Sequence, residues 1–443
     1  MTGRRRAPLL GSFGPLGRFG PFGSSGAAGT RRLLVGATAA GALLLSGCGA
    51  LPGAAADSGS TVTVMTWAPG ASDDADSVTM AGVTAIASTY AKWVNARGGL
   101  GGHELKVLTC DEEDSLAGAE TCAREAVDRD VAAVVGSYSR HGQTFMAPLE
   151  AAGIPYIGGY GASDGEFQSF VSYPVNGGQA ALLAGNGRQL AGSCDTVSLV
   201  RPDSIVGDSM AALLDAGLAL GHRHAAADVV APESATSYDS EAAKALHAAD
   251  DGCVTAVLGD RTGTFFDSFR RLPSNDGGVR ISSVLGSVSQ PLIDSTGGRN
   301  SPFEGAYVTG WYPVSSDARW KEMREAVRKY AFEDDSIDPA DSAVQTTWVA
   351  YTVLTAAVEA LGDGEVRASA VTSVLNHGLK VDTGGLTPEL RWRYQDMLGS
   401  AAYPRIVNGT VTFQVVRGGR LVSQKTGFTD VTETLSDAKA VRG

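Results

Sequence analysis

The sequence predicts an α/β protein of two lobes, each a mainly parallel sheet with helices packed on its faces. Three observations carry this. Between Ala81 and His141 the chain reads as helix, turn, strand, acidic loop, helix, strand and polar loop, the alternation of a parallel sheet. After Tyr173-Pro174-Val175 the alternation starts again and runs to Gly286 over a stretch of similar size. The chain is also 443 residues long, more than one hydrophobic core serves. Two such lobes enclose a cleft, the default place for a ligand, and closure about a hinge is the motion they support.

In order, Thr61 to Thr66 alternates and reads as the first strand, ending in the loop Trp67 to Asp74. Val83, Ile86, Ala87, Tyr90, Trp93 and Val94 mark one face of a helix that the turn Asn95 to Gly102 stops. His103 to Thr109 and the short apolar run Val131 to Val135 are strands, the second followed by the polar loop Gly136 to Ser139. Phe145 to Ala152 is a helix and Ile154 to Ile157 a strand ending in Gly158 to Asp164. The second lobe then takes helices over 179–190, 208–220, 240–249 and 265–272, and strands over 197–200, 228–232, 254–258 and 282–286. Gly305 to Thr309 reads as a strand returning to the first lobe, followed by helices over 320–332, 343–361 and 368–376. Arg405 to Val422 reads as a hairpin turning at Gly418-Gly419. The lobes are thus expected at 61–175 plus 306–376 and at 176–305 plus 377–432, with a tail at 433–443.

The first 47 residues hold six arginines and no acid, then the apolar run Leu33 to Leu45. That run is too short to span a bilayer and reads as a secretory signal behind a low-complexity extension. Leu45-Ser46-Gly47-Cys48 resembles a bacterial lipobox, which makes Cys48 the expected lipidated residue and 48–60 a tether. Thr30 to Leu34 resembles a twin-arginine signal less fully. The chain carries 36 basic against 48 acidic residues, and losing the leader would make it more acidic, which disfavours nucleic acid as a partner. Of the other cysteines, Cys110 ends a strand and Cys122 lies in the next helix, while Cys194 and Cys253 each begin an apolar run. An even number in an exported chain favours two disulfides, Cys110 with Cys122 and Cys194 with Cys253. The two other pairings remain possible on sequence alone.

Five segments then carry a family resemblance. They are Trp93 to Gly102, the block from Asp111 to Ser137, Ala152 to Pro155, Phe303 to Val308, and Gly384 to Pro388. Together they resemble the branched-chain amino-acid-binding family, type I periplasmic binding proteins of ABC importers, and with the lipobox an actinobacterial substrate-binding lipoprotein. The resemblance implies two Rossmann-like lobes with hinge crossovers and an interlobe cleft. It implies a small polar solute, an ABC permease as partner, no cofactor and a monomer anchored to the outer face of the cell membrane. It also places the ligand's carboxylate against the loops Ser137-Tyr138-Ser139 and Tyr160-Gly161-Ala162-Ser163, where hydroxyls and amides converge. The acid that meets an ammonium in that family would follow Ser282 to Gly286, yet Ser287 to Gln290 carries none. The residues therefore argue against a standard α-amino acid, and Asp203, Asp260, Arg261 and the Asp73/Asp74/Asp76 cluster stand as other cleft candidates. Trp67 and Trp311 fall at strand ends beside the expected crossings.

Sharper chemistry has weaker support. Gly161 to Gly165 matches a G-x-S-x-G elbow around Ser163, but no long helix follows and no oxyanion-type glycine motif precedes it. A binding or turn serine is the expectation, and the protein is read as not an enzyme. His222-Arg223-His224 and Asp111 to Asp114 lack the spacing of zinc or calcium sites. An extracellular sensing lobe for a signalling partner is the alternative role, and a secreted serine hydrolase a third.

Overall fold

The computed structural model describes residues 60–70, 79–275, 277–332, 334–398, 400 and 402–437. The leader, Cys48, most of the tether and the Asp73 to Asp76 cluster with Asp74 lie outside the described residues. Among the described residues two sheets form.

The first comprises β1 (Thr61–Ala68), β2 (Glu104–Asp111), β3 (Ala133–Val135), β4 (Tyr156–Ile157) and β5 (Ser172–Tyr173). Its order is β2-β1-β3-β4-β5 and every pairing is parallel. β3 is apolar throughout because helices cover both faces of a parallel sheet. The helix Ala81–Asn95 buries Val83, Ile86, Tyr90 and Val94, the face its spacing predicts. Ser115 starts the next helix, Leu116–Asp128, by accepting the Gly118 amide.

The second sheet holds β6 (Val197–Pro202), β7 (Ala227–Ala231), β8 (Cys253–Ala256), β9 (Arg280–Val284), β10 (Tyr307–Gly310), β11 (Thr410–Arg417) and β12 (Arg420–Ser423). Their order is β12-β11-β10-β9-β8-β6-β7, and a short β13 (Thr429–Asp430) pairs with β11. The strands β6 to β10 run parallel, β11 pairs antiparallel with β10, and β12 antiparallel with β11.

Two expectations about the chain's path are corrected. Tyr307–Gly310 does not return to the first lobe. It pairs with β9 through Tyr307 and Ser282, and with β11 through Tyr307 and Val415. A short apolar strand carries no signal of which sheet it joins, so alternation alone placed it wrongly. The return comes after Gly310, and the helix Ser342–Leu361 then packs on the first lobe. Trp348 lies 4.8 Å from the Tyr90 ring and the Tyr351 hydroxyl 2.8 Å from that of Thr66. Gly136 and Gly158, just past β3 and β4, hold φ of 63° and 61°, and a Cβ on either would strike Thr347 or Ala350 of this helix. Glycine there serves both the turn and the close approach. Residues 377–406, expected in the second lobe, pack instead beside β5. Trp392 donates to the Pro174 carbonyl at 3.0 Å, and the Arg405 guanidinium to that of Ser172 at 2.7 and 2.9 Å.

The chain therefore crosses between lobes near Asn176, Tyr312 and Asn408, and these crossings are bonded together. Asn176 donates to the Tyr312 hydroxyl, Asn408 to the Val175 carbonyl, and Thr412 to the Tyr312 carbonyl. Both disulfides form as paired above, Cys110 with Cys122 at a Cα separation of 5.7 Å and Cys194 with Cys253 at 5.9 Å. Val197 is in register with Cys253, so the second bond ties the starts of β6 and β8. No helix among the described residues is long and apolar enough to cross a membrane.

Candidate functional site

A cavity of about 590 Å³ lies between the two sheets, at the carboxyl ends of their parallel strands. The loops after β3 and β4 bring Tyr138, Arg140, Tyr160 and Ala162 to it from the first lobe. Those after β7, β8 and β9 bring Glu233, Tyr238, Asp260, Arg261 and Ser287 from the second. Trp311, just past β10, closes the hinge side.

Tyr138, Tyr160 and Trp311 form a continuous aromatic wall. Tyr160 lies 5.1 Å from Tyr138 and 5.2 Å, edge on, from Trp311. The polar ends of two of these rings are satisfied away from solvent: the Tyr160 hydroxyl meets that of Ser342 at 3.0 Å, and the Trp311 indole donates to the Gly178 carbonyl at 3.0 Å. Burial raises the Tyr138 and Tyr160 phenols well beyond their ordinary range, so both stay neutral. Facing this wall are Met210, Leu258 and Leu285 of the second lobe.

Charge enters from both sides. Arg140 makes a two-point bond to Asp114, with Nε donating at 3.0 Å. Burial opposes its charge, but the Asp114 bonds outweigh it and raise the guanidinium. Arg261 and Asp260 stand on the opposite lobe, and the field of Asp260 reaches Arg140 and Tyr138. Two buried carboxyls lie behind the first-lobe loops, Glu112 under Ser139 and Glu166 under Gly161 to Ser163. Burial pushes each up to about 7, against the hydrogen bonds they accept. Among the described residues no group of three or more His, Cys, Asp or Glu side chains gathers to hold a metal.

A family model described as periplasmic binding protein matches residues 54–403. The chain belongs to that family. No curated protein matches the sequence. Among solved structures, a fatty acid ABC transporter substrate-binding protein from Thermomonospora curvata is 14% identical with a TM-score of 0.66, over 84% of this chain and 94% of that one. A branched chain amino acid ABC transporter from Thermus thermophilus with bound valine is 16% identical at 0.64, over 85% and 98%. A solute binding protein from Rhodopseudomonas palustris BisB5 in complex with 3,4-dihydroxy benzoic acid is 15% identical at 0.65, over 84% and 98%. At such identity the likeness speaks for the fold.

In this periplasmic binding protein the residues expected at the cleft divide in two. Tyr138, Tyr160, Ala162, Arg261 and Ser287 line the cavity. The hydroxyls of Ser137 and Ser139 turn away from it: Ser137 Oγ accepts the Trp67 amide at 3.1 Å, and Ser139 Oγ donates to Glu112 at 2.6 Å. Extended chain presents alternate residues to opposite sides, so Ser137 and Ser139 point inward while Tyr138 and Arg140 line the cavity. Ser163 donates to Glu166 at 3.2 Å behind the loop. Trp67 is fully buried in the first lobe, 5.3 Å from the Phe145 ring. Asp203 is solvent-exposed after β6 and is not among the lining residues. Arg140, Glu233 and Met210 also line the cavity and were not among the expected cleft residues. Glu233 follows a strand end by two residues, and Arg140 sits two past Tyr138 in the same alternation. Both signals were present without any family pattern to point at them.

Proposed function

We propose that this periplasmic binding protein is the solute receptor of an ABC importer, tethered to the outer face of the cell membrane by lipid on Cys48. It acts as a monomer that closes over a small carboxylate with an apolar body. The observation that carries this reading is the cavity itself: an aromatic wall with one arginine in its lining from each lobe, Arg140 and Arg261. An arginine–carboxylate contact is a strong, directional bond, and rings and aliphatic side chains suit the rest of such a molecule. Asp260 and Glu233 supply the acid that Ser287 to Gln290 lacks, so an α-ammonium is accommodated beside the carboxylate. Valine, 3,4-dihydroxy benzoic acid and a fatty acid, named for three solved relatives, share this plan. Ser163 is read as a loop-holding serine, because its hydroxyl is taken by Glu166.

A thermal-shift panel of valine, benzoate, phenylacetate and octanoate, each beside its uncharged amide, tests the class. At least one acid should raise the unfolding midpoint, since a ligand of the native state stabilises by mass action, while its amide should not. Arg140→Gln and Arg261→Gln should each weaken the responding acid about tenfold or more. Equal responses to acid and amide would sink the carboxylate reading. Membrane retention that survives Cys48→Ala would sink the anchor.

A further inference from the structure

We propose that Glu112 and Glu166 are positioning residues that set the shape of the cleft's first-lobe wall, each carboxylate holding from behind one of the two loops that face the solute. For its consequence in binding, this rests on reading the cleft as the solute site.

The two acids are built alike and satisfied differently. Glu112 follows β2 and is fully buried, and its Oε2 accepts the Ser139 hydroxyl at 2.6 Å. Ser139 Oγ in turn accepts the His141 amide at 3.1 Å. That bond fixes the one residue between Tyr138 and Arg140, both of which line the cavity. Oε1 of Glu112 is buried with no hydrogen-bond partner among the described residues. Glu166, 2% exposed, fills both oxygens. Oε2 accepts the Gly161 amide at 3.0 Å, and Oε1 the Ser163 amide and hydroxyl at 3.1 and 3.2 Å. Those donors bracket Ala162, which lines the cavity. Gly159 permits the arrangement, because a Cβ there would lie 2.0 Å from Glu166 Oε2. Tyr156 joins the two: its hydroxyl donates to the Ser137 carbonyl at 3.3 Å, and both carboxylates act on its ionisation.

Glu166 is held by two backbone amides, which can only donate, the pattern of an ionised acid, and Glu112 by a hydroxyl. A proton turns one acceptor oxygen into a donor. Glu112 has an empty oxygen to receive it and keeps a weakened bond to Ser139. Glu166 Oε2 already accepts the Gly161 amide and Oε1 both Ser163 donors, so a proton on either oxygen weakens bonds that shape that loop. Burial places both changes near neutrality, at about 7. The charged and titratable groups facing Glu112 are Asp111, Asp114, Arg140, Tyr138 and Tyr156; Glu166 faces Tyr156, with Asp164 on its own short helix. His141 lies in the Ser139 loop, its amide bonded to Ser139 Oγ.

The test reads amide resonances of the ¹⁵N-labelled full chain between about pH 5.5 and 8.5, a window that spans both acids. Gly161 and Ser163, with Tyr160 and Ala162 beside them, should shift with a midpoint near neutrality and stay flat in Glu166→Gln. Ser139, Tyr138 and Arg140 should shift less and stay flat in Glu112→Gln. Should a variant fail to fold, the wild-type resonances still decide: flat Gly161 and Ser163 signals, or shifts that leave Tyr160 and Ala162 unmoved, overturn the proposal. With benzoate as probe, affinity should fall about fivefold from pH 8 to 5.5 and vary less than about twofold in the double glutamine variant. Equal affinity at both pH values in the wild type overturns the positioning role. If benzoate binds at neither, the proposed solute class loses that member and the resonances alone judge the braces.

Discussion

The two walls of the cleft are made differently. On the first-lobe side Tyr138 is 7% exposed, Arg140 is bonded to Asp114, and each loop is backed by a buried carboxyl. On the second-lobe side Glu233 and Asp260 are solvent-exposed, and the helix Ile205–Leu220 opens with Ile205 at 91% and Val206 at 61% exposure. The first wall is organised before any solute arrives. On the proposed reading the second gains its contacts as the lobes close, and the ordering cost of closure then falls mainly there. The lobes' disulfides follow the same division: in the first a short clamp near the solute loops, in the second a tie across strands at the far end of the sheet.

The largest expected effect separates those two bonds. Cys194 and Cys253 are 59 residues apart and Cys110 and Cys122 only 12. Loop-closure entropy makes the first worth about 4 kcal/mol and the second about 3 kcal/mol. Denaturant titration of the paired serine variants should place Cys194→Ser/Cys253→Ser below Cys110→Ser/Cys122→Ser in stability. If solute affinity is then measured, the first-lobe pair should suffer more, because Cys110 sits two residues before Glu112. The reverse order in both measurements would break the division drawn between the lobes.

How far the sequence showed this can be judged at particular residues. Helix and strand alternation located both sheets, and the Val83 to Val94 spacing located a buried helix face, since periodicity is a local property. Cysteine positions favoured the pairing found without excluding the two others. The sheet that Tyr307–Gly310 joins was not legible, because partner choice depends on residues a hundred positions away in β11. At the site, strand-end position was legible and side-chain direction was not. Ser137 and Ser139 carry the chemistry a carboxylate wants, but past the turn at Gly136 it is Tyr138 and Arg140 that line the cleft instead. Glu112 and Glu166 were invisible as braces, since an acid in a polar loop looks solvated until the fold buries it.

The pH dependence of stability sharpens the contrast next. Both glutamates ionise near 7 in the folded chain and near the ordinary 4.5 when unfolded. Between those values the native state binds more protons than the unfolded one, so stability falls as pH rises. It is fully present below 4.5 and lost through about 7, each acid contributing at most about 3 kcal/mol. Asp317 has the opposite sign: bonds from Arg319 hold it at about 2, and its contribution disappears only in strong acid. Chemical denaturation at about pH 5 and 8 should find the wild type more stable at the lower value. Glu166→Gln should remove most of its share of that slope. A wild-type slope of the opposite sign would mean the first wall does not hold its acids buried in solution.

The smallest effect falls on the second wall. Ile205 heads its helix two residues after Asp203, between the lining residues Pro202 and Met210, and 91% of its surface is open to water. An exposed side chain with no buried contacts contributes little to the free protein, so Ile205→Ser should change unfolding stability by no more than about 0.5 kcal/mol. If the lobes close as proposed, this lip moves toward the first lobe, and covering most of an isoleucine is worth about 1–2 kcal/mol. The same variant should therefore weaken solute binding several-fold while the dissociation rate rises, the signature of a contact made only in the closed state. Calorimetry and stopped-flow on one preparation check both halves. Loss of stability without loss of affinity would show that Ile205 already packs in the open protein, and that the second wall is as settled as the first.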